Sequence, residues 1–178
     1  MIYELKETGR ATALFAGWQD SVVWSALQGV MGKIYVDSLE KPESGVVMLG
    51  DFCFLSGKPK SEIISGALTN SASEEVILVP QNDDWAQMIV DCCGEKAEKT
   101  VRYAIKKEPG IFDLKQLQKA AQSLPGEYEM KLIDQTLFEI CRDTQWSKDL
   151  TANYESYSQY KEYGLGVCIL TGGEVVAG

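Results

Sequence analysis

The run VVMLGDFCFL, Val46–Leu55, most narrows the folds open to this chain. Its β-branched, aromatic and aliphatic residues follow one another without a helical period, so it reads as one long apolar strand. Just upstream, Lys33–Leu39 alternates, with Ile34 and Val36 on one face, and Glu40, Pro42, Glu43 and Gly45 supply turn chemistry in between. The two runs are therefore expected to form a β-hairpin. Before it, Leu14, Trp18, Val22, Val23, Leu27, Val30 and Met31 recur at helical spacing from Ala11 to Met31, with Asp20 and Ser21 breaking the stretch into two helices and Gly32 ending it.

The alternation continues downstream. Pro59 and Ser61 open a short helix, Glu62–Leu68; Glu75–Pro80 is a compact strand; Asp83 or Asp84 caps a helix running to Cys93; and Thr100–Lys107 alternates as a half-buried strand. Asp113 caps a helix with an apolar stripe of Leu114, Leu117, Ala120, Ala121 and Leu124, and Pro125-Gly126 ends it at the best candidate domain boundary. A second unit then restarts with a strand at Glu127–Ile133 that sets Tyr128, Met130 and Leu132 on one face. It continues with a helix capped by Asp134, a loop at Thr144–Lys148, a helix through Tyr163, and a hairpin of Gly166–Leu170 and Glu174–Gly178 around Thr171-Gly172-Gly173. This order predicts an α/β fold (α+β with a mixed sheet), divided into residues 1–125 and 126–178. Val175 and Val176 end on an unfinished strand edge, so either the polypeptide is a fragment or another chain, in a homodimer, covers that edge.

With 178 residues, 45% of them hydrophobic, the chain is long enough for a real core in one ordinary domain or two small ones. The absence of histidine excludes Ser-His-Asp and Cys-His hydrolysis, His-ligated zinc and imidazole proton shuttles. A net charge of −9 with no basic cluster argues against nucleic acid as a partner and suits a cationic or amine-bearing small molecule. Cys53, Cys92, Cys93, Cys141 and Cys168 are odd in number and lack CxxC spacing, which disfavours both a disulfide framework and a metal site. Cys53, Cys141 and Cys168 sit in apolar runs as core fillers, the pattern of a reducing, cytoplasmic compartment. MIYELKETGR is too charged to be a signal peptide, and no apolar run reaches the roughly 18–20 residues needed to span a bilayer, so no membrane partner is expected.

Four features carry possible chemistry. Asp51, beside Gly50, places a carboxylate in an apolar run, which marks either a binding crevice or a strand-end aspartate satisfied by backbone amides. Tyr154, Tyr157, Tyr160 and Tyr163 recur every three residues and, with Trp146, either wall an aromatic pocket for amines or pack in the core. Cys92-Cys93 is either a reactive thiol pair or structural, and no histidine or obvious cation activates either thiol. No GxGxxG, Walker-type or GxSxG motif occurs, so no phosphate-cradling or nucleophile-elbow signal is present.

MGKIYVDSLEKP (31–42), GDFCFLSGKP (50–59), ILVPQNDDW (77–85), TVRYAIKKE (100–108) and GLGVCILTGGEVVAG (164–178) together resemble the two-part GNAT acetyltransferases of Firmicute-type bacteria, the group that includes zwittermicin A resistance proteins. The resemblance implies an amino-terminal α/β domain followed by the first half of a catalytic GNAT domain; the element order of the first unit itself resembles the GNAT order, which suggests a degenerate GNAT-like copy with a structural or substrate-shaping role. It implies acetyl transfer from acetyl-CoA to a small-molecule amine, by direct attack of the neutral amine on the thioester while a carboxylate or ordered water takes its proton. In that family the pyrophosphate is cradled by a glycine-rich loop after the fourth strand. Here FLSGKPKSEI, at the corresponding place in the first unit, has one glycine, and no such loop follows in the second. The expectation is therefore that no cofactor-binding residue lies in this chain, that these residues alone bind no acetyl-CoA, and that the catalytic residues are unknown. In GNAT folds the loop between the first two helices overhangs the acceptor, which nominates Trp146, Asp149, Asn153 and Tyr157 as acceptor-pocket residues. The rival is a non-catalytic ligand-binding or partner-interaction module with a GNAT-like fold.

Overall fold

A computed structural model of the chain describes residues 1–73, 75–103 and 108–178, and the chain divides into two compact units, Met1–Lys99 and Thr100–Gly178. The first is built on a five-stranded sheet in the order β1 (Tyr3–Glu4), β2 (Lys33–Val36), β3 (Ser44–Leu49), β4 (Phe52–Gly57), β5 (Ile77–Pro80). Neighbours are antiparallel except β4 and β5, which run parallel, so the sheet is mixed as the sequence predicts.

The expected single strand Val46–Leu55 is two strands. Gly50, at φ +60°, and Asp51 make a two-residue turn that pairs Leu49 with Phe52 and Val46 with Leu55. Glycine takes this left-handed conformation at no steric cost, which is why a reversal fits inside an otherwise continuous apolar run. Side chains then alternate between two buried layers. Ile34, Val36, Val47 and Phe54 meet Phe15, Val23, Ala26 and Leu27 on one face, while Tyr35, Val46, Met48, Cys53 and Leu55 meet Ile63, Ile64, Ala67 and Trp85 on the other. A sheet covered on both faces needs strands without polar positions, and this explains the unbroken apolar run.

The helices that cover it differ from expectation at their ends. Only α1 (Ser21–Leu27) is α-helical within Ala11–Met31; a 3-10 turn, Thr8–Ala11, and irregular turns replace the other helix. Helix α2 spans Ser61–Asn70, and α3 spans Asp83–Cys93. The cap of α3 is Asn82, whose side chain accepts the Trp85 amide at 3.1 Å, so Asp83 and Asp84 fall in the first turn, where their charge favours the helix dipole.

In the second unit Thr100–Tyr103 is irregular, with Val101 74% and Tyr103 95% exposed, instead of the expected strand; residues 104–107 lie outside the described residues. Helix α4 (Leu114–Gln122) is capped by Asp113 as expected, but none of its residues is buried. The division after Lys99 thus falls ahead of Pro125-Gly126, and no described residue of the segment between them belongs to either core. A three-stranded antiparallel sheet follows, β6 (Tyr128–Leu132), β7 (Val167–Thr171), β8 (Glu174–Ala177), with helices α5 (Gln135–Asp143) and α6 (Tyr157–Tyr163) between β6 and β7. Its core is Ile133, Leu137, Phe138, Cys141, Tyr160, Cys168 and Leu170. Tyr128, Met130 and Leu132, which the alternation sets on one face, are all exposed. No helix among the described residues is long and apolar enough to cross a membrane.

Candidate acceptor-side site

The second unit assembles its aromatic residues around Phe138. This ring meets Tyr157 edge-on at 5.7 Å and Tyr160 at 5.3 Å, and Tyr154 meets Tyr160 edge-on at 5.1 Å. The tyrosine stripe is therefore mainly packing. Tyr160 is 4% exposed, while Tyr163, at the end of the helix, is 55% exposed. Burial pushes the Tyr160 hydroxyl pKa up, helped by Tyr154 and Cys168, so at neutral pH it is an uncharged O–H. Among the described residues that hydroxyl has no hydrogen-bond partner, and Gly166 approaches it so closely that an added Cβ would stand 2.7 Å away.

Outside this cluster lies an open groove of about 620 Å³, lined by Phe138, Glu139 and Arg142 of α5 and Tyr157, Ser158 and Lys161 of α6. Asp134 starts α5 by accepting the Leu137 amide at 2.9 Å, and Ser156 starts α6 by accepting the Gln159 amide at 3.3 Å. These caps fix which side chains face the groove. The Arg142 guanidinium lies 5.4 Å from the Phe138 ring centre and donates to the Glu155 carbonyl at 3.1 Å. Two cations, one carboxylate and an aromatic floor suit a small polar ligand that carries both signs of charge.

Of the four acceptor candidates, only Tyr157 lines this groove. Trp146 sits in the turn after α5, is 51% exposed and makes no ring contact among the described residues. Asp149 is exposed in a 3-10 turn, Lys148–Leu150, and caps no helix, while Asn153 is exposed in the following turn. The loop carrying them is nevertheless anchored. Ser147, fully buried, donates its Oγ to the Cys141 carbonyl at 3.2 Å, and Thr144 donates to the Ile140 carbonyl at 2.9 Å. Sequence reasoning missed Glu139, Arg142 and Lys161. The i, i+4 spacing of Phe138 and Arg142 was a signal for a cation over an aromatic ring, but nothing in sequence joined α5 to Lys161.

The other candidates settle differently. Gly50-Asp51 is a hairpin tip with Asp51 half-exposed, not a crevice, and the Asp51 carbonyl accepts the Ile77 amide at 2.8 Å. Cys92 is exposed and Cys93 half-buried at the end of α3; burial, then Cys93 and Asp91, raise the Cys92 pKa, which is the reverse of activation. No group of three or more His, Cys, Asp or Glu side chains able to hold a metal occurs among the described residues.

A pyrophosphate cradle needs consecutive free amides at a glycine-rich strand-to-helix loop. In the first unit the loop from β4 to α2 holds that position, and it does not fit. The Gly57 amide donates to Gln81 Oε1 at 3.0 Å, the Lys58 amide donates to the Glu43 carbonyl at 2.9 Å, and Pro59 has no N–H. Gly57, at φ +82°, is seated so tightly that a Cβ would strike the Glu43 carbonyl and Leu14. Strands β4 and β5 stay paired from Phe52–Ile77 to Leu55–Pro80, leaving no cleft between them along that length. In the second unit, Gly172-Gly173 turns a hairpin and leads to no helix.

A sequence model of the family described as GNAT acetyltransferase matches residues 12–178. Among solved structures, the chain is similar to a GCN5-related N-acetyltransferase-like protein from Streptococcus suis 89/1591, with 38% identity and a TM-score of 0.80 over 96% of this chain and 68% of that one. No curated protein matches it.

Proposed function

Because the chain belongs to the GNAT acetyltransferase family, we propose that it serves acyl-CoA-dependent N-acetyl transfer to the amine of a small molecule, and that its own residues build the acceptor side of that reaction. The observation that carries this reading is the family match over residues 12–178, joined to the strand–helix–helix–hairpin order of β6 to β8. Acetyl-CoA is the donor this family generally uses. The β4–α2 loop does not fit it, so no step is assigned to a donor site within these residues. What they can do is hold an amine. Asp149 is the carboxylate for a cationic acceptor, Trp146 the apolar wall, and Asn153 and Tyr157 the polar contacts, all on or beside one anchored loop.

We further assign residues 1–125 to a degenerate GNAT-like unit and 126–178 to the opening half of the catalytic domain, with the uncovered α4 as connector. The group that includes zwittermicin A resistance proteins is the proposed subgroup, in a bacterial, cytoplasmic setting, with β8 as the edge a second copy pairs with. A non-catalytic binding module is the second reading, favoured by the internally satisfied Gly57 and Lys58 amides.

Thiol release from acetyl-CoA by the full-length protein, measured across a panel of small amines, tests the first reading. Amine-dependent release supports it, and release no faster than hydrolysis with every amine refutes it. Calorimetry on residues 1–178 tests the donor side: no heat with acetyl-CoA is expected, and micromolar binding would show that the cradle has been misplaced.

A further inference from the structure

Cys141, in the last turn of α5, and Cys168, in β7, are both fully buried and both free, with their Sγ atoms 3.7 Å apart. They stand 27 residues apart in sequence, so the fold and not chain proximity brings them together. A disulfide needs its sulfurs about 2.05 Å apart, which leaves less than about 2 Å of approach to close this pair. Among the described residues no other pair of sulfurs is in such contact: Cys53 is buried in the first unit's core with Cys93 packed at its margin, and Cys92 and Cys93 are chain neighbours on α3.

We propose that Cys141 and Cys168 are a modification site, a dithiol that a low-molecular-weight disulfide of the glutathione type closes reversibly. One protein sulfur, as thiolate, attacks the oxidant and forms a mixed disulfide, expelling one small thiol. The second protein sulfur then displaces the other small thiol, so that two protein S–H bonds and one S–S bond are exchanged for one protein S–S bond and two small thiols. Burial, then its hydrogen bond with Cys141, pushes the Cys168 thiol up to about 11, so the pair rests as thiols and closes slowly, in the local openings of the α5–β7 packing that admit the small disulfide.

The position gives closure a consequence. The Cys141 carbonyl accepts from Ser147 Oγ and from the Thr144 amide, so the sulfur that would move belongs to the residue that anchors the Thr144–Lys148 loop. The pair also adjoins the unpartnered Tyr160 hydroxyl, which feels both thiols. A bond here clamps the end of α5 to β7 and shifts the loop's anchor. The site itself does not depend on what the loop binds.

The test treats the folded, unmodified protein with oxidised glutathione, quenches in acid and maps the peptides. The expected product is one linked pair, Cys141–Cys168, about 2 Da lighter than the two thiol peptides and restored by a reductant, while exposed Cys92 carries glutathione as an internal control. Cys141→Ala should leave Cys168 unlinked. Finding Cys92 glutathionylated while Cys141 and Cys168 remain free thiols, or carry one glutathione each, overturns the proposal. So does protein unfolded by urea that gives the Cys141–Cys168 link in the same proportion to other cysteine pairings, because the pairing would then owe nothing to the fold.

Discussion

The two units solve the same problem, covering a small sheet, to different depths. In the first, β2, β3 and β4 send successive side chains into two apolar layers, and residues as large as Trp85, Phe15, Ile34 and Leu55 are fully enclosed. In the second, only Cys168 and Leu170 of β7 are buried from the sheet, β6 is exposed along its length, and the core closes around Phe138 and Tyr160. Two-sided burial leaves little room for a ligand, as the satisfied β4–α2 loop illustrates. One-sided burial keeps a groove and an anchored loop available for binding.

Truncation at the centre of each core should separate them most. Trp85→Ala removes a fully buried indole whose N–H donates to the Gly57 carbonyl at 2.9 Å, leaving a cavity and an orphaned carbonyl. A loss of about 3–5 kcal/mol is expected in urea unfolding followed by hydrogen exchange in β3 and β4. Phe138→Ala should cost less, about 3 kcal/mol, because its site opens on the groove and water can enter. Equal losses would break the contrast between the units.

How much of this was legible depends on whether the determinant was local. The caps at Asp113 and Asp134 and the Gly172-Gly173 turn can be read from adjacent residues, and they hold. The Gly50-Asp51 reversal was legible as an irregularity but not as a turn, because a strand bulge and a two-residue hairpin present the same letters. The stripe of α4 and the face of β6 were legible as patterns, yet a pattern states what an element offers and not whether anything covers it. The groove was not legible, since Arg142 and Lys161 come from different helices and meet only through their packing.

Function should respond in the second unit with little change in stability. Asp149→Asn in the full-length protein is expected to lower kcat/KM for the amine acceptor about tenfold, close to 1.4 kcal/mol, at an unchanged melting point. Trp146→Ala should raise the acceptor KM while acetyl-CoA affinity is retained. Losses of stability in step with activity, or normal acceptor kinetics in Asp149→Asn, would remove these residues from the pocket.

A pH effect sharpens the contrast from the side of the first unit. Burial alone would raise the Asp37 pKa, but the Lys60 ammonium at 2.6 Å and the Glu43 and Ser44 amides outweigh it and hold the carboxyl below its usual value. A carboxyl with a lowered folded-state pKa stabilises above its unfolded value, near 4, and that contribution disappears as pH falls through the folded value. Asp37→Asn should therefore cost about 1 kcal/mol at pH 7 and nothing at the acid end, flattening the acid limb of a stability–pH profile. An unchanged acid limb would show that the Asp37–Lys60 pair contributes nothing there.

The smallest effect belongs to the groove wall. Arg142 is exposed, so its contact with Phe138 competes with water, and a cation over an aromatic face at such a site is worth about 0.5–1 kcal/mol. Arg142→Met keeps an apolar stem across the ring but removes both the charge and the donor to the Glu155 carbonyl, so it should lose the whole of that amount. Arg142→Lys keeps a charge near the ring and loses the planar fork, so it should fall between the two. Urea midpoints at matched slope, with hydrogen exchange in α5 and α6, read the difference, and β3 and β4 should not change in either variant. If Arg142→Met matches the parent while Phe138→Ala still unfolds the second unit, the ring is held by its aromatic neighbours alone and the guanidinium is free to meet a ligand.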